Sequence, residues 1–298
     1  MKTLPIIEQH FHGAYGVDFN TATVKEIVVL AEKLKCQGIG GFFPTLVTDS
    51  IENTKKQIEV IKEASKECKN ILGIHLEGIF LNPLKCGIHN VEHFLALTVE
   101  NYKKLEDEFI KIVTLAPELD EGLISYLKKC GVKIQAGHCI GWANDVNKPD
   151  GATHMFNAMS GISHKESSTA LSAIIDDDVY TEIIGDGVHV KDDALKLLFK
   201  TKPEDKILLV SDSLPITYSD IKETVFADSI IYYDGKEARS GSGTLAGSTH
   251  LLPEIIKRLG KKGLFKPQYI ENSYKYHGIE PKGELEWDED FNITKIID

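Results

Sequence analysis

Seven side chains able to bind a metal or move a proton recur at one kind of position in this sequence: His10, His12, Glu77, His138, His154, His189 and Asp212. Each follows a short apolar run that reads as a buried strand. Imidazole and carboxylate together suit a divalent metal with one coordination position left open for water. Such an ion lowers the pKa of bound water towards about 7 and polarises a carbonyl. Glu77 is the pivot: Ile71, Leu72, Ile74 and Leu76 form its strand, and Gly78 with Asn82-Pro83 opens a loop behind it. His10 and His12 flank Phe11, so a period of two puts both on one face. Singly, each has a plain structural role, Glu77 and Asp212 as caps and the H-x-H pair as packing. Their shared position at strand ends argues for a metal site.

Parallel strands of a closed barrel end on one rim, which brings such residues together without sequence neighbourhood. The chain supplies the strands. Leu4 to Glu8, Gly38 to Phe43, Ile71 to Leu76, Phe109 to Thr114, Val132 to Ala136, Gly151 to Thr153, Val179 to Ile184 and Lys206 to Val210 alternate with helical patterns, clearest at Thr23 to Lys35, Ile51 to Glu67, Glu118 to Lys129, Asp192 to Phe199 and His250 to Leu259. This predicts an α/β fold, a (β/α)8 TIM-like barrel, with a doubly wound sheet as the alternative. Thr224 to Arg239, with Asp234-Gly235 as its turn signal, reads as a hairpin inserted after the eighth strand. Glu284 to Trp287 and Ile293 to Ile297 read as two short strands in search of a sheet.

The composition of this 298-residue chain, 42% hydrophobic and 27% charged, is that of a soluble globular protein with a sizeable core. A formal net charge of −11 argues against nucleic acid or an anionic membrane as partner, so an anionic ligand needs a local positive site. The five cysteines, Cys36, Cys68, Cys86, Cys130 and Cys139, form no C-x-x-C pair and predict reduced thiols. Met1 to Pro5 opens no long apolar run and no window is long enough to span a bilayer, which predicts a cytoplasmic protein.

H-F-H-G at 10 to 13, H-L-E-G-I-F-L-N-P-L-K-C-G-I-H at 75 to 89, T-L-A-P-E at 114 to 118, G-H at 137 to 138, A-T-H-M-F-N-A-M-S at 152 to 160, D-G-V-H-V at 186 to 190, S-D at 211 to 212 and G-T-L-A-G-S at 243 to 248 carry a resemblance. In this order they resemble the N-acetylglucosamine-6-phosphate deacetylases, of the amidohydrolase superfamily. The resemblance implies a metal-dependent amidohydrolase barrel acting on a small amino-sugar phosphate, with one or two divalent ions, zinc or iron. It implies Glu77, His138 and His154 as metal ligands, His10 and His12 as ligands of a second ion, and Asp212 as catalytic acid and base. His89, with Ile88 beside it, and His189 match positions that contact the substrate's sugar and acetamide groups. Asn157 and Ala158 match residues that meet the phosphate, and Leu245, Ala246 and Gly247 match a loop closing over the substrate. Lys165 stands where the family usually has an arginine reaching the phosphate, often from the partner subunit of a homodimer. Lysine there exchanges a bidentate fork for a point charge.

The chain also departs from the family pattern. Its H-x-H strand begins almost at Met1, where family members carry a longer segment that forms most of a small β-sandwich with the chain's end. The expectation is one barrel domain over 1–298, with 280–298 as residual strands that pair with each other or with another chain. His138 and His154 are 16 residues apart, so the fifth crossover should be trimmed to a loop around Trp142. The readings left open are deacetylation of an amino-sugar phosphate, another amidohydrolase reaction on a different N-acyl sugar or a cyclic amide, and a metal-containing sugar-phosphate binder without turnover.

Overall fold

The computed structural model describes residues 1–142, 147–166 and 168–297. Eight strands, Ile6–Phe11, Ile39–Val47, Ile74–Glu77, Ile110–Leu115, Lys133–Ala136, Gly151–Ala152, Tyr180–Ile184 and Ile207–Val210, lie side by side in chain order. Every neighbouring pair is parallel. The eighth meets the first where Asp212 N donates to His10 O at 2.9 Å and His12 N donates to Ser213 O at 3.0 Å. The sheet thereby closes into a (β/α)8 barrel.

Apolar runs with β-branched residues make strands that are buried on both faces. The outer face packs aliphatic side chains such as Ile7, Leu46 and Ile183 against helices, including Val24–Cys36 and Ile51–Glu67. Thr23 and Glu26 cap the first of these reciprocally, and Ser50 caps the second. Inside the barrel the buried residues include Glu8, Gln9, His10, His75, Thr114, Gln135, Thr153 and Glu182. The first strand runs on to Phe11, past the expected end at Glu8, and carries an extra residue between Glu8 and Phe11 relative to its neighbour. That bulge turns Gln9 towards Glu182 as well as leaving His10 at the site.

The inserted hairpin is larger than the sequence indicates. Glu223–Phe226, Ser229–Tyr233, Ala238–Ser240 and Leu245–Gly247 form one antiparallel sheet of four strands in chain order, whose buried residues are Phe226, Ile231, Ala238 and Gly247. Glu284–Trp287 pairs with Ile293–Ile297, and Lys2–Thr3 from the other end of the chain completes a sheet of three. Between Ala136 and Gly151 the described residues contain no α-helix; Trp142 packs beside Ala116, Ala136 and Cys139, and 143–146 lie outside the described residues. The helices without forewarning include Thr169–Ile175 and Gln268–His277. The latter contacts the first, fifth and eighth strands: Tyr274 Oη donates to Pro5 O at 2.8 Å, Asn272 Nδ2 to Ile207 O at 2.8 Å, and Tyr276 Oη accepts from Gln135 Nε2 at 3.1 Å. All five cysteines are free, and no described helix is long and apolar enough to cross a membrane.

Candidate active site

At the carboxyl ends of the strands Glu77 stands between two groups of imidazoles. Its Oε1 is 3.0 Å from His154 Nε2 and 3.4 Å from His138 Nε2, and its Oε2 is 3.1 Å from His12 Nε2 and 3.3 Å from His10 Nε2. Asp212 Oδ1 closes the second group, 3.2 Å from His12 Nε2 and 3.5 Å from His10 Nε2. His138, His154 and Asp212 all have positive φ, at 49°, 28° and 52°. Strained backbone of this kind persists where surrounding structure over-determines it, and it concentrates at functional sites.

Two clusters in this arrangement have the donor chemistry of a divalent-metal centre: Glu77, His138 and His154, and His10, His12 and Asp212. Ligands held tetrahedrally about 2.1 Å from an ion lie about 3.4 Å from one another, close to the separations around Glu77. The electrostatics agree. Burial raises the carboxyl of Glu77, but the imidazoles of His10, His12 and His138 outweigh it and hold the group well below the usual carboxylate range. Asp212 is likewise lowered, because His10 and His12 overcome its burial. Burial lowers His12, yet Asp212 and Glu77 bring it up to about 9. Among the described residues no lysine or arginine pairs with Glu77, Glu182 or Asp212, so the side chains able to bring positive charge to these three buried carboxylates are imidazoles. His10 Nε2 and His154 Nδ1 are buried without a hydrogen-bond partner. The residues present fit a cation.

A cavity of about 280 Å³ opens over this centre. His12, Glu77, His138, His154 and Asp212 lie at its base, and the expected substrate positions Ile88, His89, Asn157, Ala158, His189, Leu245 and Ala246 line it. His189 is oriented by Asp186, whose Oδ2 is 2.7 Å from its Nδ1.

Among curated proteins the chain is 33% identical over 261 residues to the N-acetylglucosamine-6-phosphate deacetylase of Bacillus subtilis, covering 82% of this chain and 65% of that protein. It is 30% identical over 267 residues to the enzyme of the same name from Haemophilus influenzae, covering 86% of this chain and 70% of that one. The chain belongs to the N-acetylglucosamine-6-phosphate deacetylase family. The solved structure of the Pasteurella multocida deacetylase superposes with a TM-score of 0.90 at 27% identity, covering 99% of this chain and 84% of that one. The chain thus spans 65% of the length of the Bacillus subtilis relative. No family model matches it.

Three residues singled out in the sequence do not line the cavity. His10 lies one layer beneath it, fully buried, with Nδ1 3.0 Å from Glu182 Oε2. Gly247 is in the strand beside the cavity, where a Cβ would come within 2.9 Å of Asp212 O. Lys165 is exposed on the segment before helix Thr169–Ile175, its backbone N–H on Ser163 Oγ at 3.2 Å. Sequence reasoning in turn missed Val47, Gly87, Phe226 and Thr244 in the walls, and Gln9, His75 and Glu182 beneath. Glu182 had a signal: a carboxylate inside the apolar run Val179 to Ile184 must have a buried partner.

Proposed function

We propose that the chain is a metal-dependent hydrolase that removes the acetyl group from an amino-sugar phosphate, converting N-acetylglucosamine 6-phosphate and water to glucosamine 6-phosphate and acetate. The observation that carries this reading is Glu77, which offers one carboxylate oxygen to each of two imidazole groups beneath the cavity, with Asp212 beside them. Glu77, His138 and His154 would hold one divalent ion, and His10, His12 and Asp212 a second, with zinc or iron the ions that suit these donors. A bound ion supplies Lewis acidity and lowers the pKa of a coordinated water. Asp212, ionised, accepts a proton from the attacking water and delivers it to the amine nitrogen as the carbon–nitrogen bond breaks. His89 and His189 orient the acetamide, and His89 steadies charge on its oxygen. Asn157 and Ala158 meet the phosphate, Leu245 to Gly247 cover the sugar, and Lys165 reaches the phosphate of a partner's site in a homodimer. We read 1–298 as one barrel domain with residual strands at 280–298, acting in the cytoplasm.

A second reading has its own support. Among the described residues no lysine or arginine lines the cavity, which favours an unphosphorylated N-acyl sugar or another amide. Metal content measured beside acetate release from N-acetyl amino sugars, each with and without phosphate, decides between them. Faster release from the phosphorylated sugars supports the first reading and faster release from the free sugars the second, while metal-loaded protein that releases no acetate ends the first and leaves of the second only an amide other than an acetamide.

A further inference from the structure

Thr48 follows the second barrel strand and is 2% exposed. Its Oγ1 accepts the N–H of Ile79 at 3.0 Å and lies 2.8 Å from His89 Nδ1. Gly78 makes room for it: at φ +141° it has no side chain, and a Cβ there would sit 2.1 Å from the hydroxyl. A hydroxyl has one hydrogen to give and two lone pairs to receive with. Ile79 occupies a lone pair, and among the described residues His89 Nδ1 is the acceptor within reach of the hydrogen. A buried hydroxyl hydrogen without an acceptor is costly.

We propose that Thr48 is a positioning residue that fixes His89 with its hydrogen on Nε2, making the ring a hydrogen-bond donor to the cavity. A protonated ring would carry a hydrogen on Nδ1 as well and leave the hydroxyl hydrogen without its acceptor, so the assignment is that of the neutral ring. His189 is set the opposite way. Its Nδ1 is 2.7 Å from Asp186 Oδ2, a carboxylate can only accept, and Asp186 is itself held by the N–H groups of Val188 at 2.8 Å and His189 at 2.9 Å. His189 Nδ1 therefore carries the hydrogen, and its Nε2 offers a lone pair. With His89 as donor and His189 as acceptor, the cavity presents the complement of an amide, whose oxygen accepts and whose N–H donates. A donor aimed at the acetyl oxygen gains strength as charge grows there, so its loss falls on kcat more than on KM. Only the identity of the ligand rests on the deacetylase reading.

The test is a long-range proton–nitrogen NMR spectrum of the zinc-loaded protein, with His89 assigned by its disappearance in His89→Gln, beside kinetics on N-acetylglucosamine 6-phosphate. The neutral Nε2–H pattern is expected for His89. Thr48→Val should lose that pattern and lower kcat roughly 10- to 100-fold with a smaller change in KM, while Thr48→Ser restores both. A wild-type His89 carrying its hydrogen on Nδ1 overturns the proposal, as does a folded Thr48→Val protein with wild-type kcat. If Thr48→Val does not fold, the wild-type spectrum decides. Protein that binds the sugar phosphate without releasing acetate ends the deacetylase reading, and the spectrum still decides for or against Thr48.

Discussion

The Nε2 atoms of His138 and His154 stand 3.1 Å apart in a buried site. His138 Nδ1 is 2.9 Å from Lys85 O, a pure acceptor, so Nδ1 carries the ring's hydrogen and Nε2 turns a lone pair towards His154. His154 Nε2 also faces Glu77 Oε1 at 3.0 Å. His138 Nε2 and the ionised Glu77 carboxylate can only accept here, His154 Nε2 lies within reach of both, and a cation would satisfy all three at once. His154→Ala should therefore lose most of the ion at this cluster, and chelation of the wild type should lower Tm and abolish acetate release. Elemental analysis, thermal unfolding and a rate assay with and without chelator check it. Metal-free protein with full deacetylase activity would end the metal reading.

Much of the barrel was legible because its strands are plain apolar runs: Ile207 to Val210 admits no other comfortable place than a buried sheet. The rim residues followed from them, since a side chain just past such a run has to sit at its end. What the pattern could not carry was anything that breaks its period. The extra residue between Glu8 and Phe11 turns Gln9 towards Glu182, and a strict alternation of two has no means of counting it. Helix Gln268–His277 was hidden for a different reason: it buries Tyr269, Asn272, Ser273, Tyr274 and Tyr276, a polar and aromatic face fitted to the barrel's own polar groups. Aliphatic spacing is blind to such a face. Lys165 depends on loop geometry, which sequence pattern does not determine.

Glu182 should decide whether a second ion binds. Its Oε2 faces His10 Nδ1 at 3.0 Å and accepts from His154 N at 3.2 Å, while Oε1 accepts from Gln9 Nε2 at 2.6 Å. Glu182→Gln turns one of these acceptors into a donor, which loosens the ring whose Nε2 faces Glu77 and Asp212. Affinity at the His10, His12 and Asp212 cluster should fall about 10- to 100-fold, with the ion on Glu77, His138 and His154 retained. Zinc titration against a competing chelator measures both. A wild type that takes up a single equivalent at saturation would sink the two-ion reading.

Asp18 should give the protein a pH dependence of stability. Burial pushes its carboxyl up to about 6, against the N–H of Asn20 at 2.8 Å and the His12 imidazole, and Asp49 adds to the rise. The native state then binds this proton more tightly than the unfolded chain does. Wild-type stability should fall as pH rises from about 4 through 6, whereas Asp18→Asn keeps the turn's acceptor and escapes that loss. The variant should gain on the order of 1 to 2 kcal/mol relative to wild type between pH 4 and pH 7, allowing for partial exposure. Urea unfolding at the two pH values tests it, and a difference that is independent of pH refutes it.

Lys165 is exposed and outside its own chain's cavity, and the proposed contact with a phosphate is one across subunits. Lys165→Ala should raise KM for N-acetylglucosamine 6-phosphate and leave the unphosphorylated sugar nearly unchanged, since a point charge on the phosphate contributes to binding in ground and transition states alike. Light scattering should find a dimer. Equal effects on both sugars, or a monomer with unimpaired preference for phosphate, would remove Lys165 from recognition.

Asp212 carries the proposed chemistry. The run Ile207–Val210 ends two residues before it, its φ of 52° turns it out of strand geometry, and its N–H on His10 O at 2.9 Å locks the turn to the first strand. The side chain lines the cavity with Oδ1 3.2 Å from His12 Nε2, and the imidazoles around it keep the carboxylate ionised. A capping role alone would leave catalysis intact when it is changed. Asp212→Asn keeps the shape but cannot take a proton from water, so kcat should fall roughly 10²- to 10⁴-fold while the sugar phosphate still binds. Metal content has to be measured alongside, because Oδ1 belongs to the His10 and His12 cluster and its loss could empty that cluster. If the ion on Glu77, His138 and His154 stays and kcat collapses with binding intact, Asp212 is the proton shuttle. A variant that turns over at near the wild-type rate rules the shuttle out.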